Sequence, residues 1–410
     1  MRKTTRKPAM RRKAARAASA ALRCPSCSST EMMSAYFVDD VPVHSLIQMD
    51  TREQALAHPT GKIALGLCRG CGFIANTLFD ASSLHYGRRY EDSQGFSDHF
   101  NTFLVGLVRR LVGRYDIRHK KVLEIGCGKG EFLWLLCEAG DNEGIGIDPA
   151  CVPERIPDYV RSRITIIPEM YSQRHADVEA DVICCRHTLE HIPQTGEFLR
   201  LLRKAIGSRK DVLVFFEVPD ALRILREGAF WDIYHEHCSY FTAGSLAWLF
   251  RSSCFDIEEL CLDYDDQYIM LVARPADRPT GPAFEIENDL AEIPEAVMSF
   301  CGTVEKKMQS WRRFLRSCRR CCRRSVVWGS GSKGVAFLTT LRIADEVEYV
   351  VDINPYRQGK YMPVTGQRII PPRELVDYSP ACVVAMNPVY VDEIRRDLDR
   401  LGLRPHLLAV

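Results

Sequence analysis

The sequence has no run of 18 uncharged apolar residues, which excludes an ordinary transmembrane helix. It also lacks the apolar core of a secretory signal. Its 17 cysteines, without such a signal, indicate a reducing compartment. In a reducing compartment, cysteines are free, metal-bound or catalytic rather than paired in disulfides. These features together predict a cytoplasmic protein.

The chain has little net charge, formally +2, but that charge is unevenly spread. Residues 1–23 hold nine lysines or arginines and no acid, so the rest carries about −7. We interpret residues 1–23 as a disordered basic tail, although such a segment could also contact nucleic acid or anionic lipid, or serve as a transit peptide. The mildly acidic remainder gives no reason to expect nucleic-acid binding.

At 410 residues the chain is too long for one ordinary core, so several domains are expected. Its apolar content of 46% and charged content of 26% are typical of a globular protein. Changes in pattern along the chain predict a cysteine-bearing domain over 24–85 and a main domain over 86–275. A helical connector and a second domain are predicted over 276–410.

Two C-x-x-C pairs lie in the first of these domains, Cys24 with Cys27 and Cys68 with Cys71. Each pair can place two thiolates on one ion, and two pairs complete a tetrahedron. The spacing therefore predicts a zinc site, and four sulfurs leave no open position for catalysis. The long gap between the pairs predicts a long hairpin or an insertion.

Strand-like and helix-like segments alternate through both later domains. In the main domain, KVLEIGCG, NEGIGIDP, DVICC and DVLVFFEVP are typical of buried strands, and EFLWLLCEAG is typical of a helix. This rhythm predicts an α/β fold with a parallel, doubly wound sheet. Apolar residues at helical spacing from Ile293 to Cys318 predict a long connecting helix, and the alternation then resumes.

The first glycine turn, LEIGCGKGEF, carries Gly126, Gly128 and Gly130 between a predicted strand and a helix. Glu124 precedes the turn, and Asp148 ends the next predicted strand. Glycines allow close approach of a ligand, and the later acid can bind a ribose diol. The G-x-G-x-G spacing resembles motif I of the class I S-adenosylmethionine-dependent methyltransferases, whose cofactor carries an ammonium and a sulfonium that nearby acids would favour.

The second turn, WGSGSKG, has the dinucleotide spacing, with Gly329, Gly331 and Gly334, and Asp352 lies 18 residues after Gly334. On pattern alone it defines a rival hypothesis, a dinucleotide-dependent oxidoreductase. Two other interpretations stay open. The glycines could serve only close helix–strand packing, or the helix N-terminus could hold the diphosphate of a nucleotide-linked substrate.

The segment DIYHEHCSYF groups Tyr234, His235, Glu236 and His237. These side chains could move protons, bind a substrate or chelate a metal, although H-x-H alone offers two ligands. A second segment, HTLEH at residues 187–191, formally matches a zinc-protease signature. Its place directly after a strand argues instead for the edge of the sheet where open α/β folds bind ligands. We expect both segments to meet there.

Over residues 24 to 405 the order of these motifs resembles the sugar C-methyltransferases that act on nucleotide-linked 4-keto-hexoses. The resemblance implies a class I methyltransferase sheet, preceded by a small zinc-binding domain and followed by a second Rossmann-like domain. It also implies that His237 is the general base, that Tyr234 and Glu236 line and orient the sugar, and that His191 is an active-site histidine.

Two segments depart from that family pattern. The last strand leads into Met386, Asn387 and Pro388, where the family often has a Trp-Asn-Tyr type sequence, and Tyr90–Ser97 only loosely matches its substrate segment. These departures suggest a different sugar, or a different group carrying it, rather than a different reaction.

The sequence therefore predicts a zinc-stabilised methyltransferase that uses S-adenosylmethionine to methylate carbon in a nucleotide-linked keto-sugar through an enolate. Its partner would be this small-molecule substrate. The alternatives are O- or N-methylation of another metabolite, a non-catalytic binding module that keeps the cofactor fold, and the oxidoreductase raised by WGSGSKG.

Overall fold

The computed structural model describes residues 22–410. The predicted basic tail therefore lies outside the described residues, apart from its last two positions. Within the described part of the chain, no helix combines the length and apolar character needed to cross a bilayer.

The N-terminal unit is built on an antiparallel sheet. Strands β1 and β2 form the long hairpin predicted between the two cysteine pairs, with one short helix in the connection. The order in this sheet is β1, β2, β3 and β9, so its last strand comes from a distant part of the chain, directly after the YHEH segment. Its elements are β1 Met32–Pro42, α1 Arg52–Leu56, β2 Thr60–Cys68 and β3 Ile74–Asn76.

The middle unit contains a seven-stranded sheet. Its elements are α2 Asp98–Tyr115, β4 Lys121–Ile125, α3 Glu131–Gly140, β5 Glu143–Ile147, α4 Asp158–Arg161, β6 Ile164–Ile167, β7 Val182–Arg186, α5 Thr195–Ile206, β8 Leu213–Pro219, α6 Ala221–Glu227, β9 Ser239–Tyr240, α7 Ala243–Ser252, β10 Phe255–Asp263 and β11 Tyr268–Pro275. The strand order is β10, β11, β8, β7, β4, β5, β6.

Five of these strands run parallel, as the alternating pattern predicts, but the prediction of a wholly parallel sheet is wrong. Strand β11 pairs antiparallel with both β8 and β10, so the sheet is mixed at one edge. The short connection between β10 and β11 explains this, because a tight turn can only join antiparallel strands. Strands β7 and β8 are almost entirely buried, in keeping with their continuous apolar runs.

The C-terminal unit follows a 28-residue helix, which confirms the helix predicted from the apolar spacing between Ile293 and Cys318. Its five-stranded sheet is wholly parallel, in the order β14, β13, β12, β15, β16. Its elements are α8 Ile293–Arg320, β12 Ser325–Trp328, α9 Ser332–Leu341, β13 Tyr349–Val351, β14 Arg368–Ile370, α10 Leu375–Tyr378, β15 Cys382–Ala385, α11 Val391–Arg400 and β16 His406–Ala409.

Segment 86–97, which precedes α2, bridges the middle and C-terminal units. Its Glu91 carboxylate accepts two hydrogen bonds from Arg155, at 3.1 and 2.7 Å, and one from Asn354 at 3.0 Å. The Arg155 guanidinium also lies 3.7 Å above the ring of Tyr356. Charge-assisted bonds of this kind are stronger than neutral ones, so the segment is held against both sheets.

Candidate functional site

A cavity of about 570 Å³ lies between the carboxyl ends of the parallel strands of the middle sheet and those of the C-terminal sheet. Residues directly after β4, β5 and β7 line it on one side, and residues directly after β12, β13 and β15 line it on the other. Both glycine turns therefore open into one space, as expected of open α/β sheets, which bind ligands at this edge.

The first glycine turn passes too close to its neighbours for a side chain. Gly126 has φ of +72°, and a Cβ there would lie 1.9 Å from the hydroxyl oxygen of Thr188. A Cβ on Gly128, with φ of +52°, would lie 2.4 Å from a carboxylate oxygen of Asp92. Glycine is needed at both positions for conformation and for space.

Asp148 sits beside this turn, as predicted. Its carboxylate accepts hydrogen bonds from the amides of Gly128 at 2.9 Å and Ala150 at 2.6 Å. Burial, together with the nearby charge of Asp92, raises the pKa of Asp148 to about 6. Glu124 also lines the cavity, and burial raises its pKa well above the usual range.

Substituting asparagine for Asp148 should weaken S-adenosylmethionine binding about tenfold to a hundredfold, because hydrogen bonds to a charged group are worth about 1.5–3 kcal/mol. In the unsubstituted protein the affinity should fall as the pH drops through about 6, where Asp148 gains its proton. Calorimetric titrations across this pH range test both effects. The exposed Asp177→Asn is the matched control, and equal affinities in the two variants would contradict a ribose-binding role.

The YHEH segment forms a tight turn that sends its side chains in two directions. Tyr234 and His237 line the cavity. Glu236 turns the other way and accepts hydrogen bonds from the Ser45 hydroxyl and, at 2.8 Å, the Ser45 amide. His235 packs so closely against Gly61 that a Cβ on this glycine would lie 2.5 Å from the imidazole ring. Two of the four side chains thus face the cavity, and two hold the N-terminal unit.

His237 is the most enclosed histidine of the cavity, with 6% of its surface exposed. Its ring lies 4.7 Å from that of His191 and 4.1 Å from that of Tyr234, measured between centroids. Burial and the neighbouring His191 lower the pKa of His237 well below the usual value. It is therefore neutral at pH 7 and can accept a proton.

His191 lines the cavity beside it, and its Nδ1 lies 3.1 Å from the hydroxyl of Tyr86. The sequence reasoning did not single out Tyr86, which lies just before the segment compared with the family pattern. Within the HTLEH segment, Leu189–His191 form only a three-residue 3-10 turn. A zinc-protease signature needs its histidines one turn apart on an α-helix, so the structure also argues against that signature here.

One cluster of potential metal ligands lines the cavity, comprising Glu190, His191 and His237. His235 is not part of it, so the two histidines of H-x-H do not chelate together. Sequence reasoning missed Glu190 because only the fold brings it beside His237.

The four predicted zinc ligands lie together in the N-terminal unit. The sulfurs of Cys24 and Cys71 are 3.8 Å apart, and those of Cys27 and Cys68 are 3.5 Å apart. All four sulfurs lie within 4.8 Å of one another. A tetrahedron with Zn–S bonds of about 2.3 Å has edges of about 3.8 Å, so this donor set fits zinc.

The second glycine turn and Asp352 make close contacts within the C-terminal unit. A Cβ on Gly334 would lie 2.1 Å from the carbonyl oxygen of Gly329, which shows how closely helix α9 approaches strand β12. Asp352 accepts hydrogen bonds from the Ser330 amide at 2.8 Å and from Arg357 at 3.3 Å. The close-packing interpretation of these glycines therefore has direct support.

Comparisons with known proteins agree with this architecture. Residues 96–260 match the model of a methyltransferase domain family, and residues 283–403 match that of the C-methyltransferase C-terminal domain. The chain is 26% identical over 327 residues to the C-methyltransferase NovU of Streptomyces niveus, covering 76% of each protein. It is 23% identical over 175 residues to a ubiquinone biosynthesis O-methyltransferase of Saccharophagus degradans, covering 36% of this chain and 68% of that protein.

Among solved structures, the magnesium protoporphyrin IX methyltransferase of Synechocystis PCC 6803 is 16% identical, with a TM-score of 0.33. That match covers 43% of this chain and 84% of the other.

The matched domains and the mixed α/β sheet identify the chain as a class I, S-adenosylmethionine-dependent methyltransferase. Its last domain matches the C-methyltransferase C-terminal domain, and the chain is similar to the C-methyltransferase NovU.

Proposed function

We propose that the protein methylates a carbon atom next to the ketone of a nucleotide-linked keto-sugar, with His237 as the general base. One observation carries this proposal: a buried, neutral imidazole lies in the same cavity as the glycine turn and Asp148. The similarity to NovU, which spans most of both chains, supports carbon as the methylated atom.

The chemistry requires a carbon nucleophile. In the proposed reaction His237 takes a proton from the carbon beside the ketone, and the C–H electron pair moves into an enolate. When bound, S-adenosylmethionine supplies an electrophilic methyl group for that carbon. A positioned base contributes about 10²–10⁴-fold to such a proton transfer. Tyr234, which lies against the His237 ring, can donate a hydrogen bond to the developing oxyanion, as catalytic hydroxyls do.

A lysine at the start of a helix that lines the cavity supports an acidic, nucleotide-linked acceptor. Lys333 and Arg223 both line the cavity and share one carboxylate, that of Asp232. Arg223 also pairs with Glu227 at 2.9 Å, so the charges of these four side chains balance. Lys333 belongs to the first turn of α9, whose N-terminus also favours anions. A diphosphate could bind at this helix N-terminus beside Lys333.

The same base could also support O-methylation. We keep this as a second candidate function because part of the chain matches an O-methyltransferase. In that reaction His237 would take the proton of a hydroxyl group. Oxidoreductase activity has less support, because Asp352, the acid that would hold a ribose, already binds Ser330 and Arg357.

Incubation with S-adenosylmethionine and a panel of nucleotide-linked keto-sugars, followed by mass spectrometry, tests the proposal. A product heavier by one methylene, with solvent deuterium entering the carbon beside the ketone when methyl donor is left out, is expected. Methylation without such exchange would favour oxygen. Calorimetry with S-adenosylmethionine and with NAD separates both outcomes from an oxidoreductase, which would bind NAD.

We further propose that the four cysteines hold a structural zinc ion. Their sulfur spacing and their complete set of four thiolates support this role, because no coordination position stays open for a substrate.

A further inference from the structure

The cavity contains a carboxylate that the proposed reaction does not yet use. Glu190 lines the cavity, only 2% of its surface is exposed, and its Oε2 has no hydrogen-bond partner among the described residues. Leaving a buried carboxylate oxygen without a partner costs about 1–3 kcal/mol or more. Such a group calls for a function.

Glu190 lies close to the proposed base, His237. One carboxylate oxygen of Glu190, one ring nitrogen of His191 and one of His237 lie within 4.8 Å of one another. The backbone carbonyl of Glu190 also accepts a hydrogen bond from the Cys238 amide at 3.0 Å. That bond ties the 3-10 turn to the end of the YHEH turn, so Glu190 and His237 are held in fixed register.

His187 and Glu217 lie next to Glu190 and form a second group of charged side chains. His187 Nδ1 lies 3.7 Å from Glu190 Oε1, and its Nε2 lies 2.6 Å from Glu217 Oε1. Glu217 is fully buried and also accepts two hydrogen bonds from Arg186, each at 2.9 Å. His187 itself adopts a left-handed backbone conformation, with φ of +47°, which aims its ring between the two carboxylates. Strain of this kind is common at functional sites.

We propose that Glu190 is a positioning residue for the base: its carboxylate orients the His237 imidazole and stabilises the imidazolium that forms when His237 takes the substrate proton. No bond to Glu190 forms or breaks. The proton stays on His237 until it returns to solvent, and Glu190 supplies only a fixed negative charge and a hydrogen-bond acceptor. His187, anchored by Glu217, keeps that carboxylate in place. This role rests on the proposed function and follows the logic by which a buried acid orients a catalytic histidine.

The first test does not depend on a substrate. Burial opposes charge on His187, but Glu217 and Glu190 overcome it and raise the pKa of His187 to about 9. Tyr268 also faces this ring, at 4.5 Å between ring centroids, and His237 lies near enough for the charge of His187 to act on it. Nuclear magnetic resonance of the full chain with labelled histidines should show the His187 midpoint falling by about 1 pH unit in Glu190→Gln. An unchanged midpoint would contradict the contact between Glu190 and His187.

The second test uses chemical rescue. With a keto-sugar from the panel that is turned over, Glu190→Ala should lower kcat about 10²-fold while leaving calorimetric binding of S-adenosylmethionine unchanged. Added formate, which restores a small carboxylate, should recover part of the rate, whereas formamide should not. Glu197→Gln, an exposed acid in α5, is the control for charge removal.

Full activity in Glu190→Ala, or lost activity that formate does not restore while cofactor binding is intact, would overturn the proposal. Metal analysis gives another decisive outcome, because Glu190, His191 and His237 could also hold a cation. A metal ion in addition to that of the cysteines, lost in Glu190→Gln, would assign the cluster to metal binding instead. If no panel sugar is methylated, the proposed function fails, while the magnetic resonance test still decides the contact of Glu190 with His187.

Discussion

Substituting asparagine for His237 should lower kcat by about 10³-fold while S-adenosylmethionine binds with unchanged affinity. The imidazole lies in the cavity against the rings of Tyr234 and His191, where a bound substrate would meet it. A positioned general base is worth about 10²–10⁴-fold, and asparagine keeps the size and polarity of histidine without its basicity. Steady-state kinetics and calorimetry on the same preparation measure the two effects.

His119→Asn is a matched control, because His119 is exposed and does not line the cavity. The pH dependence provides a separate check. Because burial and His191 lower the pKa of His237, its neutral form persists into acid, and the rate should not fall as the pH passes about 6.5. Near-normal turnover in His237→Asn, or a rate that halves near pH 6.5, would contradict the assignment of the base.

Replacing Cys24 and Cys68 together by serine should remove one zinc ion per chain and destabilise the whole protein. The two residues come from different C-x-x-C turns, so both turns lose a thiolate ligand. Structural zinc sites contribute on the order of 10 kcal/mol to folding of small domains, which is comparable to the total stability of an ordinary protein. Metal analysis and thermal unfolding should report the losses together.

The exposed Cys321 and Cys322 provide the control, since their replacement by serine removes the same number of thiols from another part of the chain. We expect zinc and melting temperature to be unchanged in that variant. Zinc retained at one ion per chain after the loss of Cys24 and Cys68 would show that the four sulfurs are not its ligands.

The sequence predicts those parts of the fold that local pattern determines. Strands β4, β5, β7 and β8 and helix α8 follow from apolar runs and helical spacing, and the structure confirms them. The antiparallel edge of the middle sheet could not be predicted from the alternating pattern, because the pattern does not specify strand direction. The pairing of β9 with β3 joins positions more than 160 residues apart, which no local signal encodes.

The same division applies to the site. The glycine turn, Asp148 and the four cysteines depend on short spacings, which the sequence displays directly. The orientation of Glu236 toward Ser45 depends on a loop from another unit, as does the contact of Tyr86 with His191. The role of Glu236 in orienting the sugar stays a prediction. The position of Glu190 beside His237 became visible only once the two turns were brought together by the fold.

The shared sheet of the N-terminal unit limits how this enzyme can be divided. Strand β9, which follows His237 by two residues, has its hydrogen-bond partner in β3, and Glu236 is held by Ser45. A protein engineer who transplanted only residues 96–260 would carry over the first glycine turn but leave the YHEH turn without its contacts to Ser45 and strand β3. Recombination between relatives should therefore preserve activity only when about the first eighty residues come from the same parent as the YHEH turn that they contact.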